Sequence, residues 1–191
     1  MTAKLAAAVS MSGHVETVMT TCSPRILAGA ALALLLMTGS AALAKKVTVV
    51  PGDRPIAVDI PASWKVTTID RGIQARTADD EVYLWFESYK PAQFTALLGE
   101  HNAYFKEQGV KVTGEGQSKE VDFPTYVLKV TEYPATYEGK PTVLRYLSVV
   151  PKADGLRSLL VSYWASPAGD KTYDAQTNAI LNSLAASYDG R

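Results

Sequence analysis

Nucleophilic catalysis has few possible participants in this chain, because its 191 residues include one cysteine and two histidines. Cys22 and His14 lie within the first 44 residues, so His101 is the base that any later serine or threonine triad would need. His101 falls between Leu97 and Phe105 on a predicted apolar helix stripe, and no Gly-x-Ser-x-Gly elbow presents a serine. We therefore interpret His101 as a packing residue with a local hydrogen bond to its ring, and we expect no enzyme of this type.

Metal and phosphate sites have equally little support in the sequence. One histidine cannot supply the three or four ligands of a zinc site. The Asp-Asp-Glu cluster at 79–81 lacks the alternating ligand positions of a calcium loop, and aspartate is favoured in tight turns. The Thr-Gly-Glu-Gly segment at 113–116 has Lys119 where a dinucleotide fingerprint needs glycine. We expect no metal and no cofactor.

A pair of carboxylates is harder to exclude, since glycoside hydrolysis needs only two acidic side chains at a suitable separation. Glu87, Glu132 and Glu138 are the candidates, because each falls near a predicted strand end. Most acidic residues of a protein lie in solvent. A carboxylate-dependent hydrolase of an envelope polymer is therefore an alternative to a binding protein.

Aromatic side chains are the most suggestive binding residues. The three tryptophans, ten tyrosines and four phenylalanines all follow residue 44. Tyr83, Trp85, Tyr146 and Tyr163 fall on predicted central strands, and alternation places Tyr83 and Trp85 on one strand face. Rings with polar tips suit a groove for a peptide, sugar or small lipid, so these four are the predicted ligand-binding residues. The alternative is that they pack beneath the helices as core.

Short strands separated by proline and glycine position these residues. Strands are predicted at 47–50, 56–60, 64–69, 73–77, 81–87, 115–123, 126–133, 142–150 and 156–165. One helix is predicted from Pro91 to Gly109, and a second after Ser166-Pro167. The joints between strands are too short for parallel crossovers. We therefore expect an α+β fold with a single antiparallel β-sheet and two main helices packed on it.

The first 44 residues have the three parts of a secretory signal peptide. Arg25 precedes an apolar run at 26–37, and the small-x-small ending is Ala42 and Ala44. Cleavage after Ala44 would leave residues 45–191 as one domain without cysteine.

Two questions about this leader stay open. Translation from Met11 or Met19 would give a leader of conventional length. Residues 26–44 are also nearly long enough for an uncleaved membrane anchor. Cleavage is favoured by the flanks and the ending, so we expect a periplasmic or secreted protein that has no membrane span after cleavage.

Charge composition excludes one class of partner. The chain carries 19 basic and 19 acidic residues, and no basic patch is interleaved with aromatic residues. Nucleic acid is therefore not a predicted partner.

The order strands, helix, strands, helix comes with an Ile-Pro-Ala-Ser-Trp segment at 60–64 and an Ala-Ile-Leu-Asn-Ser-Leu segment at 179–184. These features resemble the PsbP-like α+β superfamily, which includes lumenal PsbP proteins of photosystem II, a nuclear Ran-binding protein and small bacterial envelope proteins of unknown role. The resemblance covers residues 47–188 and implies an accessory or binding role in the envelope. It implies no site residue, because the metal-binding histidines of PsbP relatives have no counterpart here.

The leading hypothesis is a secreted or periplasmic binding or accessory domain that is not an enzyme. Its partner would be an unknown envelope protein or small ligand. The alternatives are the carboxylate-dependent hydrolase and a membrane-anchored domain that keeps its leader.

Overall fold

The short apolar strands assemble into two antiparallel sheets in the computed structural model, which describes residues 43–190. The ten strands are β1 (Ala44–Val50), β2 (Ile56–Pro61), β3 (Lys65–Ile69), β4 (Gly72–Arg76), β5 (Val82–Tyr89), β6 (Val110–Val112), β7 (Gln117–Asp122), β8 (Tyr126–Tyr137), β9 (Lys140–Pro151) and β10 (Ser158–Ala165). The main sheet has eight strands in the order β3-β4-β5-β10-β9-β8-β6, and β7 pairs with the same edge of β8 as β6.

The second sheet consists of β1 and β2 alone, so the prediction of a single sheet is wrong. The last helix lies along the edge of β2 that does not pair with β1. The Ala57 and Asp59 amides donate to the hydroxyls of Ser187 and Ser183, at 3.1 and 2.8 Å. Because these N–H groups already have partners, β2 does not extend the main sheet. Alternation shows which residues of a strand are buried, but not which strand it pairs with.

Within residues 43–190, three α-helices pack against the two sheets. A 3₁₀ turn (Pro91–Gln93) leads into α1 (Phe94–Glu107), and α2 (Pro167–Thr172) precedes α3 (Asp174–Asp189). Ser166 caps α2, because its hydroxyl accepts a 2.9 Å hydrogen bond from the Gly169 amide. The predicted second helix is therefore two helices. No helix within residues 43–190 combines the length and apolarity needed to cross a membrane.

The core lies on both faces of the main sheet. On one face, Val82, Leu84 and Phe86 of β5 pack with the β1–β2 sheet and α3. On the other, Tyr83 and Trp85 pack in the cluster that α1 covers. This confirms the prediction that β5 is a central strand with two covered faces.

Residues 1–42, which hold most of the predicted leader, lie outside the described part of the chain. Ala44, at the expected cleavage point, begins β1 and pairs with Pro61. Cleavage after Ala44 would remove one residue of this strand.

Candidate functional site

The structure brings three of the four predicted aromatic residues together and separates the fourth. Trp85 and Tyr146 flank Ser162 of β10 and are 7% and 5% exposed, on the face that α1 covers. Tyr83 lies on that same face. Tyr163 pairs with Leu84 and is 3% exposed on the opposite face. The four residues therefore do not line one groove.

On the side of the sheet that α1 covers, the aromatic rings pack mainly against one another. Tyr83 is stacked between Trp85 and Trp164, with centroids 5.6 and 5.5 Å away and interplanar angles of 14° and 24°. Phe105 of α1 meets Trp85 edge-on at 5.4 Å. Burial raises the pKa of Tyr146, whose hydroxyl donates to the side-chain oxygen of Asn102 at 2.9 Å. This arrangement is that of a packed aromatic core.

Tyr163 belongs to a charged network around Arg145. The Arg145 guanidinium donates to Asp170 at 2.7 Å and to Glu132 at 2.5 Å, and it lies 5.4 Å from the centre of the Tyr163 ring. The Tyr163 hydroxyl also donates to Asp170, at 2.7 Å. Since Asp170 lies in α2, this network fixes α2 to the sheet. Glu132, a candidate carboxylate, is thereby paired.

His101 lies in a second buried network. Its Nε2 is hydrogen-bonded to a carboxylate oxygen of Glu87, and the two residues are 7% and 5% exposed. The other Glu87 oxygen accepts a 3.1 Å hydrogen bond from Arg71, which also donates to Glu100. Burial raises the pKa of Glu87, but the hydrogen bond from His101 and the nearby Arg71 outweigh it, so the pKa is lowered overall. His101 is thus a packing residue with a bonded ring, as predicted.

The remaining acidic candidates have local roles. Asp79 accepts hydrogen bonds from the Glu81 amide at 3.3 Å and the Tyr173 hydroxyl at 2.7 Å, and Asp80 pairs with Arg76. The cluster at 79–81 is thus a turn, as the sequence indicated. Glu138 occupies the two-residue β8–β9 turn with a φ of 51°. No cluster of three metal-ligating side chains occurs among residues 43–190.

An open polar cleft lies at one end of the molecule, where the β1–β2, β3–β4 and β9–β10 connections meet. It has a volume of ≈ 580 Å³ and is bordered by Ser88 at the end of β5 and by Gln93. Its charged lining residues are Arg54, Arg71, Arg157, Asp53 and Asp70. We refer to it as the arginine cleft.

Most of the charged side chains in the arginine cleft lack an ionic partner. Arg71 forms ion pairs with Glu87 and Glu100, and the hydrogen bond that it donates to Glu100 is the largest cause of its raised pKa. Arg54 donates only to the backbone carbonyl of Asp154, at 3.2 Å. Among the described residues, Arg157, Asp53 and Asp70 form no ion pair.

The cleft is not evident from the sequence, because its residues are of the types that are common in turns. Asp-Arg pairs occur in the turns at 53–54 and 70–71, and an Asp-Gly-Leu-Arg segment occupies 154–157. The repeated pairing of aspartate and arginine in separate turns was the available signal. The loops that meet are far apart in the chain, since Arg54 and Asp154 are separated by 100 residues.

The architecture is that of an α+β protein with a PsbP-like fold. The solution structure of cyanobacterial PsbP (CyanoP) from Synechocystis sp. PCC 6803 superposes with a TM-score of 0.51 and 8% identity, over 74% of this chain and 91% of that one. A protein of unknown function from Pseudomonas aeruginosa, PA94, described as a putative regulator, matches with a TM-score of 0.35 and 10% identity, over 73% and 94%. The likeness to CyanoP concerns the fold alone. No family model and no curated protein matches the sequence.

Proposed function

We propose that this protein is a periplasmic or secreted binding or accessory domain that is not an enzyme, and that it binds through the arginine cleft. The observation that carries the proposal is the contrast between buried and cleft charges. The buried charges, Glu87 and Arg145, are paired. In the cleft, Arg157, Asp53 and Asp70 have no ionic partner among the described residues. Such groups are available to a ligand.

The position of His101 supports a role without catalysis. It is the sole histidine in residues 43–190, and its Nε2 is engaged by Glu87 beneath α1. A general base must lie within hydrogen-bond reach of the proton that it removes, and His101 does not line the cleft. The arginines and aspartates that do line it are suited to holding a charged ligand.

Crosslinking in native envelope extract, followed by co-purification, tests the proposal. We expect the wild-type protein to capture a partner or ligand, and the double variant Arg54→Gln/Arg157→Gln to lose it. Lys106→Gln/Lys119→Gln removes the same charge from exposed positions of α1 and β7 and should retain capture. A wild-type protein that stays monomeric and unliganded, or equal capture by the cleft variant, would contradict the proposal.

A carboxylate-dependent hydrolase is the second candidate, because Asp53 and Asp70 both line the open cleft. The sequence candidates Glu87, Glu132 and Glu138 do not line it. If this alternative holds, Asp53→Asn and Asp70→Asn each abolish release of fragments from isolated envelope polymer. Absence of fragments with the wild-type protein would remove it.

The predicted location rests on the leader, and sequencing the N-terminus of the natural protein tests it. We expect the mature chain to begin at Lys45. A chain that retains residues 26–44 would instead support the membrane-anchored alternative.

A further inference from the structure

We propose that the arginine cleft binds a zwitterion, a ligand that carries a carboxylate and an ammonium group, as a free amino acid or a short peptide does. This inference rests on the proposed function, since it names the ligand class of the same site. The observation behind it is that Arg54 and Arg157 line the same cavity as Asp53 and Asp70.

The chain does not neutralise these groups by itself. Asp53 and Arg54 are neighbours in sequence but form no ion pair, and Arg54 reaches the Asp154 carbonyl instead. Asp70 and Arg71 are also neighbours, yet Arg71 is directed into Glu87 and Glu100. Charges of both signs therefore remain open to solvent within one recess.

A ligand of one charge alone matches this recess poorly. An anion attracted by Arg54 and Arg157 would also meet the carboxylates of Asp53 and Asp70. A cation attracted by Asp53 and Asp70 would likewise meet the guanidinium groups of Arg54 and Arg157. Like charges brought together oppose binding. A zwitterion places a carboxylate against guanidinium groups, where paired hydrogen bonds are strong, and an ammonium against a carboxylate.

The positions of the loops indicate how the ligand is oriented in the cleft. The Arg54 hydrogen bond to Asp154 joins the β1–β2 loop to the β9–β10 loop, which carries Arg157. Arg54 and Arg157 thus border the cleft from two loops that are in contact. Asp70 comes from the separate β3–β4 turn. The ligand carboxylate therefore lies against the loops that carry Arg54 and Arg157, and the ammonium lies toward Asp70.

The dimensions of the arginine cleft fit this class of ligand. Its volume of ≈ 580 Å³ lies within the range of roughly 300–1,000 Å³ that is usual for small-molecule sites. Val50 and Pro51 supply an apolar part of the wall for a side chain, and Ser88 and Gln93 supply polar groups. A ligand between an amino acid and a short peptide in size is accommodated.

Three matched pools of the same dipeptides test the charge requirement in the full-length protein. The first has free termini, the second is N-acetylated and carries only the carboxylate, and the third is C-amidated and carries only the ammonium. Binding is measured by isothermal titration. We expect the free pool to bind and each blocked pool to bind about tenfold to a hundredfold more weakly, the loss typical of one charged hydrogen bond. Free amino acids in a separate arm distinguish that source from peptides.

Variants assign the binding to the cleft. Arg157→Gln should weaken the free pool about tenfold or more, and Asp70→Asn should do the same. Lys119→Gln, on the exposed strand β7, should leave binding unchanged.

Three results would overturn the inference. Equal or tighter binding of a blocked pool would show another ligand class while leaving cleft binding intact. Binding unaffected by both cleft variants would place the ligand elsewhere. If no pool binds but the cleft-dependent capture in envelope extract is retained, the zwitterion inference alone is overturned. If that capture is lost as well, the proposed function is overturned too.

Discussion

The buried pair of Glu87 and His101 is expected to be energetically coupled, and a double-mutant cycle with leucine measures this. Glu87 accepts hydrogen bonds from His101 and Arg71 while 5% exposed. Glu87→Leu leaves His101 without its partner in the core. His101→Leu leaves the Glu87 carboxylate with Arg71 alone.

The magnitudes follow from these contacts. Loss of a hydrogen bond to a charged group costs about 1.5–3 kcal/mol, and a buried polar group left unpaired adds its desolvation penalty. We expect each single substitution to lower the free energy of unfolding by about 2–3 kcal/mol. The double variant replaces both polar groups with apolar ones, which is often far less costly than breaking a buried pair. It should therefore fall short of the sum of the single losses by about 2 kcal/mol.

Urea denaturation at pH 7, followed by tryptophan fluorescence and circular dichroism, provides the assay. Glu100→Gln is the control, because Glu100 is the exposed partner of Arg71 and its side chain is 56% exposed. That variant should lose less than about 1 kcal/mol. Additive effects of the two leucine substitutions, within about 0.5 kcal/mol, would refute the coupling.

The same pair predicts a pH dependence. The pKa of Glu87 in the folded protein lies below its ordinary value of 4.5. A carboxyl with a lowered pKa contributes stability that is fully present above the unfolded value and is lost as the pH falls through the folded value. The stability difference between wild type and Glu87→Leu that comes from this titration should therefore shrink below about pH 4.5. A difference that grows with acidity would contradict the assignment.

Three further substitutions test the packing and the Arg145 network. Gly72→Ala should destabilise the protein by at least about 3 kcal/mol, because the added Cβ would lie 2.0 Å from the Phe86 carbonyl oxygen. Gly99→Ala in α1 should instead stabilise the protein by about 0.5–1 kcal/mol, because the added Cβ would have nothing within 4 Å. Thermal unfolding of both distinguishes a close approach from a general effect of glycine. Arg145→Ala should lower the free energy of unfolding by about 2–3 kcal/mol in urea denaturation, because the partly exposed carboxylates of Asp170 and Glu132 lose the buried guanidinium with which they pair. A loss below about 1 kcal/mol would show that this network contributes little.

Much of the fold could be predicted, because alternation and turn residues are local signals. The two covered faces of β5, the helix beginning near Pro91 and the bonded packing role of His101 are all observed. The short strand β6 was missed, since its three residues are too few to show a period.

The predicted aromatic site depended on information that no single strand contains. The register of β10 against β5 sets Tyr163 opposite Leu84 and Trp164 opposite Tyr83. Residues opposite one another share a face. A register shifted by one residue would have placed Tyr163 opposite Tyr83, on the same face of the sheet. The pairing register alone therefore separates Tyr163 from the other three aromatic residues.

By itself, the sequence determined the α+β class, the central strand and a histidine held in the packing, because each depends on residues close together in the chain. Tertiary structure alone decided that β1 and β2 form their own sheet, since the serines that occupy the edge of β2 come from the last helix. It also decided where the charges of three distant turns meet. The arginine cleft exists because antiparallel pairing brings those turns to one end of the molecule, a long-range consequence that local patterns do not encode.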